Sequence, residues 1–148
     1  MATPKLSTGA IIALAATSVF LTIVTAGMIA TQTISSNGTV TTIDVDVYSD
    51  VACSQNCTSI SWGILHPGDS VNKTVYVKNT GTRAITLSMT SGNWAPEGAD
   101  TYLTLTWDQE GTVLDADDFV PANLTLSAYS DTGDLTDFSF DIVIAGTE

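Results

Sequence analysis

Positive charge is nearly absent from this chain. Four Lys and Arg stand against 16 Asp and Glu in 148 residues, a formal charge of −12. Lys5 is the only charged residue before Asp44, so Lys73, Lys78 and Arg83 are the cations of everything that follows. No basic stripe exists to neutralise a phosphate backbone, which argues against nucleic acid as a partner. Attraction to anionic headgroups is disfavoured for the same reason. Histidine is just as scarce. His66 is alone, in the turn LHPGD, and one imidazole cannot complete the two-His, Cys and Met copper set. No G-x-S-x-G elbow, Gly-rich phosphate loop or solenoid-period repeat occurs. Two cysteines cannot make a zinc quartet. These absences predict a protein that is not an enzyme and needs no metal or cofactor. The acidic loop LDADDF groups Asp115, Asp117 and Asp118. It lacks the glycine and glutamate of an EF-hand ladder and reads as a solvated loop.

What the chain does have begins with GAIIALAATSVFLTIVTAGMIA, from Gly9 to Ala30, without one charge. A secretory apolar core is typically ~7–15 residues, and a spanning helix needs roughly 20. The run therefore predicts an N-terminal apolar helix within residues 1–33. Three roles remain open: a filament core, a membrane anchor or a cleaved leader. Thr25, Ala26 and Gly27 are small enough for a signal-peptidase site. Small residues also let helices approach closely, and Gly9, Ala13, Ala16 and Gly27 are the candidate packing positions. Lys5 before the run and acids after it place the N-terminus inside and the remainder outside.

Residues 34–148 form the expected second domain, and from Thr39 on the pattern switches to a period of two, the mark of half-buried strands. Ile43, Val45 and Val47 share a face, as do Ile60, Trp62 and Ile64. The same holds for Val71, Val75 and Val77; Ile85, Leu87 and Met89; and Leu103, Leu105 and Trp107. Leu124, Leu126 and Ala128 form another set, and Phe138, Phe140, Ile142 and Ile144 the last. Turn signals HPGD, NTGT, PEGA, QEGT and DTGD separate them. Seven or eight short antiparallel strands of this kind predict an all-β, immunoglobulin-like sandwich. Its three tryptophans, Trp62, Trp94 and Trp107, are expected to fill the core or seal its ends.

Cys53 and Cys57, spaced C-x3-C, predict a disulfide closing a tight loop if the domain lies outside the cell. Four N-x-T sequons agree with that location: Asn37, Asn56, Asn72 and Asn123 are candidate N-glycan acceptors. Cys57 sits in the middle of the Asn56 sequon.

The stretch ISWGILHPGDSVNKTVYVKNTGTRAITLSM resembles the pattern of secreted immunoglobulin-like domains. In these, L-x-PG-[DS] leads to an alternating strand, then N-x-G, then another strand. It is similar to archaeal surface pilins with sandwich heads and to fibre-forming matrix proteins of the camelysin type. VYSD after the first strand adds to the likeness. The motifs cover roughly residues 38–90, and the architecture covers the chain. The resemblance to type IV pilins implies a retained apolar helix packed in a filament core. The leader PKLSTG departs from that pattern, with Lys5 its sole basic residue. The camelysin likeness implies instead a removed leader and a strand, TQTISSNGTVTTIDVDVY, donated to the next subunit. The expected function is a structural subunit of an extracellular surface filament. Its partner would be itself, with membrane contact during insertion before assembly. The alternative is a monomeric membrane-anchored surface binding or envelope protein.

Overall fold

The computed structural model describes residues 34–148, the side chains of residues 41–43 excepted. The helix expected over residues 1–33, and with it Gly9, Ala13, Ala16 and Gly27, lies outside the described residues. Gln32–Glu148 form one compact unit.

Among the described residues, nine strands form two sheets. They are β1 (Ile34–Ile43), β2 (Asp46–Tyr48), β3 (Ser59–Leu65), β4 (Ser70–Lys78), β5 (Ile85–Ala95), β6 (Leu103–Trp107), β7 (Val113–Leu114), β8 (Phe119–Ala128) and β9 (Asp137–Thr147). The larger sheet has the order β3-β1-β9-β5-β7, the smaller β2-β4-β8-β6. A 3-10 turn, Ala99–Thr101, leads into β6. The fold is all-β, as the period-two pattern requires. Two expectations need correction. The strands number nine among the described residues, and β1 lies parallel to β9, so the pairing is not wholly antiparallel.

Local chemistry explains where the strands begin and break. β1 starts five residues before the apolar alternation becomes visible. Its inward positions are Ile34, Ser36, Gly38 and Val40, so two of the four are not large apolar residues. Gly38 is inward because Trp62 occupies the space in front of it: an added Cβ would lie 3.2 Å from the indole Nε1. At Asp44 the backbone turns left-handed, φ 59°, which Asp tolerates better than most residues. The strand expected to run through 39–48 ends there, and the chain crosses to the smaller sheet as β2. In β3, Gly63 at φ 77° inserts a bend, so the strand's facing changes. Ile64, expected inside, is 62% exposed, and Leu65 takes the buried position.

The two sheets share one apolar core. Trp62, Leu65, Leu87, Phe140, Ile142 and Ile144 enter from the larger sheet, and Val77, Leu124 and Leu126 from the smaller. Each buried side chain of this size contributes about 1.5–3 kcal/mol. Phe140 stacks on Trp94 at 4.1 Å and 15° and meets Trp62 at 6.2 Å. Trp62 thus fills the core, whereas Trp94 and Trp107 are half-buried against it.

All four sheet edges are blunt. β2 and β7 have three and two residues, β6 has five, and β3 is bent at Gly63. Short and kinked edges resist pairing with other chains. Past β7, the exposed side of β5 is capped by a side chain: Glu110 Oε2 accepts the Met89 N–H at 3.1 Å and the Trp107 indole N–H at 2.7 Å.

Candidate functional site

The sequons are the candidate site residues that the structure organises most clearly. Asn37 lies on β1 opposite Ser61 of β3 and Ser139 of β9, exposed on the outer face of the larger sheet. Asn72 on β4 and Asn123 on β8 are exposed on the outer face of the smaller sheet. The β4–β8 register pairs Asn72 with Thr125 and Thr74 with Asn123. Thr125 Oγ1 donates to Asn72 Oδ1 at 2.8 Å, and Thr74 Oγ1 donates to Asn123 Oδ1 at 2.9 Å. Each sequon's threonine therefore holds the other sequon's asparagine. Ser70 and Ser127, at 2.8 Å, continue the polar row.

Asp108 closes the ladder at its far end. Its Oδ1 accepts the Asn123 backbone N–H and its Oδ2 the Asn123 side-chain amide, both at 2.9 Å. Partial desolvation raises the Asp108 carboxyl, but the hydrogen bonds led by those from Asn123 outweigh it and hold it below its ordinary pKa. The sequence showed no signal for Asp108, because its partner is fifteen residues away and found only through the β6–β8 pairing.

The cysteine loop is built on Asp50. Asp50 Oδ1 accepts the Ser54 and Gln55 N–H groups at 3.0 and 2.8 Å, and Oδ2 accepts the Ser54 hydroxyl at 2.7 Å. These bonds, the Ser54 hydroxyl foremost, hold the carboxyl below its usual range. The loop closes on β2 through Ser49 N–H to Gln55 O at 2.9 Å and Cys57 N–H to Val47 O at 2.8 Å. Cys53 and Cys57 are free thiols in this structure, both half-buried, so the bridge expected between them is not formed. The Cys57 thiol is instead turned toward Ser59 O at 3.6 Å, and burial pushes its pKa up. Asn56, exposed, bridges to Tyr48 in the same loop.

The acidic loop is a structural corner. Asp118 N–H donates to Asp115 O at 3.2 Å, and Asp117 N–H donates to Asn79 O at 3.0 Å. Asn79, fully buried, gives its amide to Arg83 O and Leu114 O and accepts the Gly81 N–H. Among the described residues, no group of three His, Cys, Asp or Glu comes together to hold a metal. His66 lies in its turn, its N–H donating to Asp69 Oδ2 at 3.1 Å. A surface cleft of about 640 Å³ is lined by Asp44, Asp46, Asn79, Arg83 and Glu148. An exposed Arg83–Glu148 pair at 3.2 Å lies at its wall. No helix of the described residues is long and apolar enough to cross a membrane.

No family model matches the chain, and no curated protein matches it.

Proposed function

We propose that this chain is the structural subunit of an extracellular surface filament, with the β-domain as an immunoglobulin-like outer wall. It joins copies through its N-terminal apolar segment, and an N-glycan coat suits the same exterior. The observation that carries this reading is the contrast between the two parts of the chain. An uncharged run, Gly9–Ala30, is followed directly by a domain with blunt sheet edges, polar outer faces and a strongly acidic exterior. Such a domain offers little to bind its own copies. The apolar run, rich in small residues, suits close helix packing.

A second mode of joining rests on β1. It is the first strand after the apolar run and lies between β3 and β9 in the sheet. Among the described residues, three buried polar side-chain atoms lack a partner: Ser36 Oγ is in β1, and a second, Trp62 Nε1 of β3, faces Gly38 of β1. Unpaired buried groups cost stability, and these two lie at the contact between β1 and β3. That favours exchange of β1 between subunits.

Cryo-electron microscopy of filaments sheared from expressing cells tests both modes. Helical density for Gly9–Ala30 along the axis supports the helix core. Continuous density for β1 entering a neighbouring domain supports exchange. Protein that stays with washed membranes as a small, detergent-extracted species, with no filaments, replaces the filament with a membrane anchor.

A further inference from the structure

We infer that Asn72 and Asn123 form one paired glycosylation locus that is accessible only before β4 and β8 join. The inference rests on the reading of the domain as an exported one. An N-x-T acceptor works through two groups, the asparagine carboxamide and the threonine hydroxyl two residues on. In the folded domain each of these groups is held by the other sequon. Thr125 Oγ1 donates to Asn72 Oδ1, Thr74 Oγ1 donates to Asn123 Oδ1, and Asn123 Nδ2 is also given to Asp108. The Asn123 sequon lies on β8, which is interior between β4 and β6, and the Asn72 sequon lies on the stretch of β4 that pairs with β8, β2 covering only Tyr76–Lys78. The β4–β8 ladder holds both sequon backbones extended, and Asp108 takes the Asn123 N–H on the other side, so a transferase must part the two strands to bend either sequon into its own site.

The transfer itself makes the same demand. The carboxamide nitrogen bonds to the anomeric carbon of a polyprenyl-phosphate-linked sugar. The bond from that carbon to the phosphate oxygen breaks, the phosphate leaves with the electron pair, and an amide proton passes to a base of the transferase. The Asn123 nitrogen is committed to Asp108, and the Asn72 carboxamide is fixed through its oxygen by Thr125, so neither amide is presented as this transfer needs while the strands are joined. Interior strands open only with much of the fold, so the folded chain reacts more slowly by roughly a hundredfold or more. Once the strands join, register makes the two asparagines diagonal neighbours on one exposed face. Their glycans then cover the middle of the β2-β4-β8-β6 sheet, which turns that face toward solvent in the proposed filament.

The test is cell-free synthesis of the full chain with transferase-bearing membranes charged with lipid-linked oligosaccharide. The membranes are added either during synthesis or after the chain has folded. Glycopeptide mass spectrometry then reads Asn72 and Asn123. A Leu126→Asp chain, which keeps both sequons and puts a charge at a fully buried position, is offered to the membranes after synthesis as the unfolded control. The expected result is modification of both asparagines during synthesis and in the Leu126→Asp chain, and near-complete loss in the folded wild type. Equal modification of the folded wild type overturns the inference. So does an unmodified Asn72 and Asn123 in every arm, whereas filaments imaged from the same chain would leave the filament reading intact.

Discussion

At the scale of single residues, a few positions hold local geometry that the core alone would not fix. Gly38 is one. An added Cβ would meet the Trp62 indole at 3.2 Å and Ile142 Cδ1 at 3.4 Å, both inside the sheet contact. Gly38→Val should therefore destabilise the domain by about 1–3 kcal/mol through overpacking, read as a lower urea midpoint. Gly92→Ala is the matched control, because nothing lies within 4 Å of its Cβ position and its φ is not left-handed. It should leave the midpoint unchanged or raised. An equal loss from both would show that strand glycines matter here for some other reason than Trp62. Asp50 gives the residue-scale pH prediction. Its folded pKa is lowered by the Ser54 and Gln55 hydrogen bonds, so its contribution is present above the ordinary carboxylate pKa of about 3.9. That contribution fades as pH falls through the lower folded value. Asp50→Ala should be less stable than wild type at pH 7, and the gap should close in strong acid. Parallel stability curves from pH 7 to pH 2 would remove Asp50 from the account.

Strands and turns show how much of this architecture the sequence exposes and how much it hides. Alternation located β4, β8 and β9 cleanly, because Val75, Val77, Leu124, Leu126 and Phe138 to Ile144 are large and regularly spaced. It misplaced the start of β1, since Ser36 and Gly38 point inward without an apolar signal. It also put Ile64 inside, because a left-handed glycine shifts the facing by one residue and nothing in the apolar pattern announces that. The four sequons were legible as residues. Their reciprocal pairing was not, because register between β4 and β8 is a property of the sheet. Glu110 was equally hidden: QEGT reads as a turn, yet its carboxylate completes the edge of β5. Glu110→Ala should speed amide exchange at Met89 and leave Leu87, whose N–H bonds to Thr112 O at 2.8 Å, nearly as protected as before. It should also change the fluorescence of Trp107, which loses its indole partner. Unchanged exchange at Met89 would mean that the edge is closed by something other than this side chain.

For the whole molecule, charge and assembly oppose each other. The chain carries −12, and all 16 acidic residues lie after the apolar run. Joining copies through that run brings acidic domains side by side, so growth of the proposed filament works against like-charge repulsion. Screening decides the balance. The Debye length is about 30 Å at 0.01 M salt, comparable to a domain, and about 8 Å at 0.15 M. Assembly should therefore be slow or absent near 0.01 M and proceed as salt rises, followed by light scattering or sedimentation. Asp115, Asp117 and Asp118 lie together in one corner loop held by backbone hydrogen bonds, so changing all three to Asn should lower the salt needed while leaving the fold intact. Gly9, Ala13, Ala16 and Gly27 changed together to Leu should act differently. In the helix-core mode they block close packing at every salt concentration, whereas in the strand-exchange mode they leave assembly and its salt dependence in place. Assembly equally fast from 0.01 to 0.5 M would show that the acidic walls never approach within a Debye length. The β-domains would then stand apart on the filament, each carried by its own apolar stem.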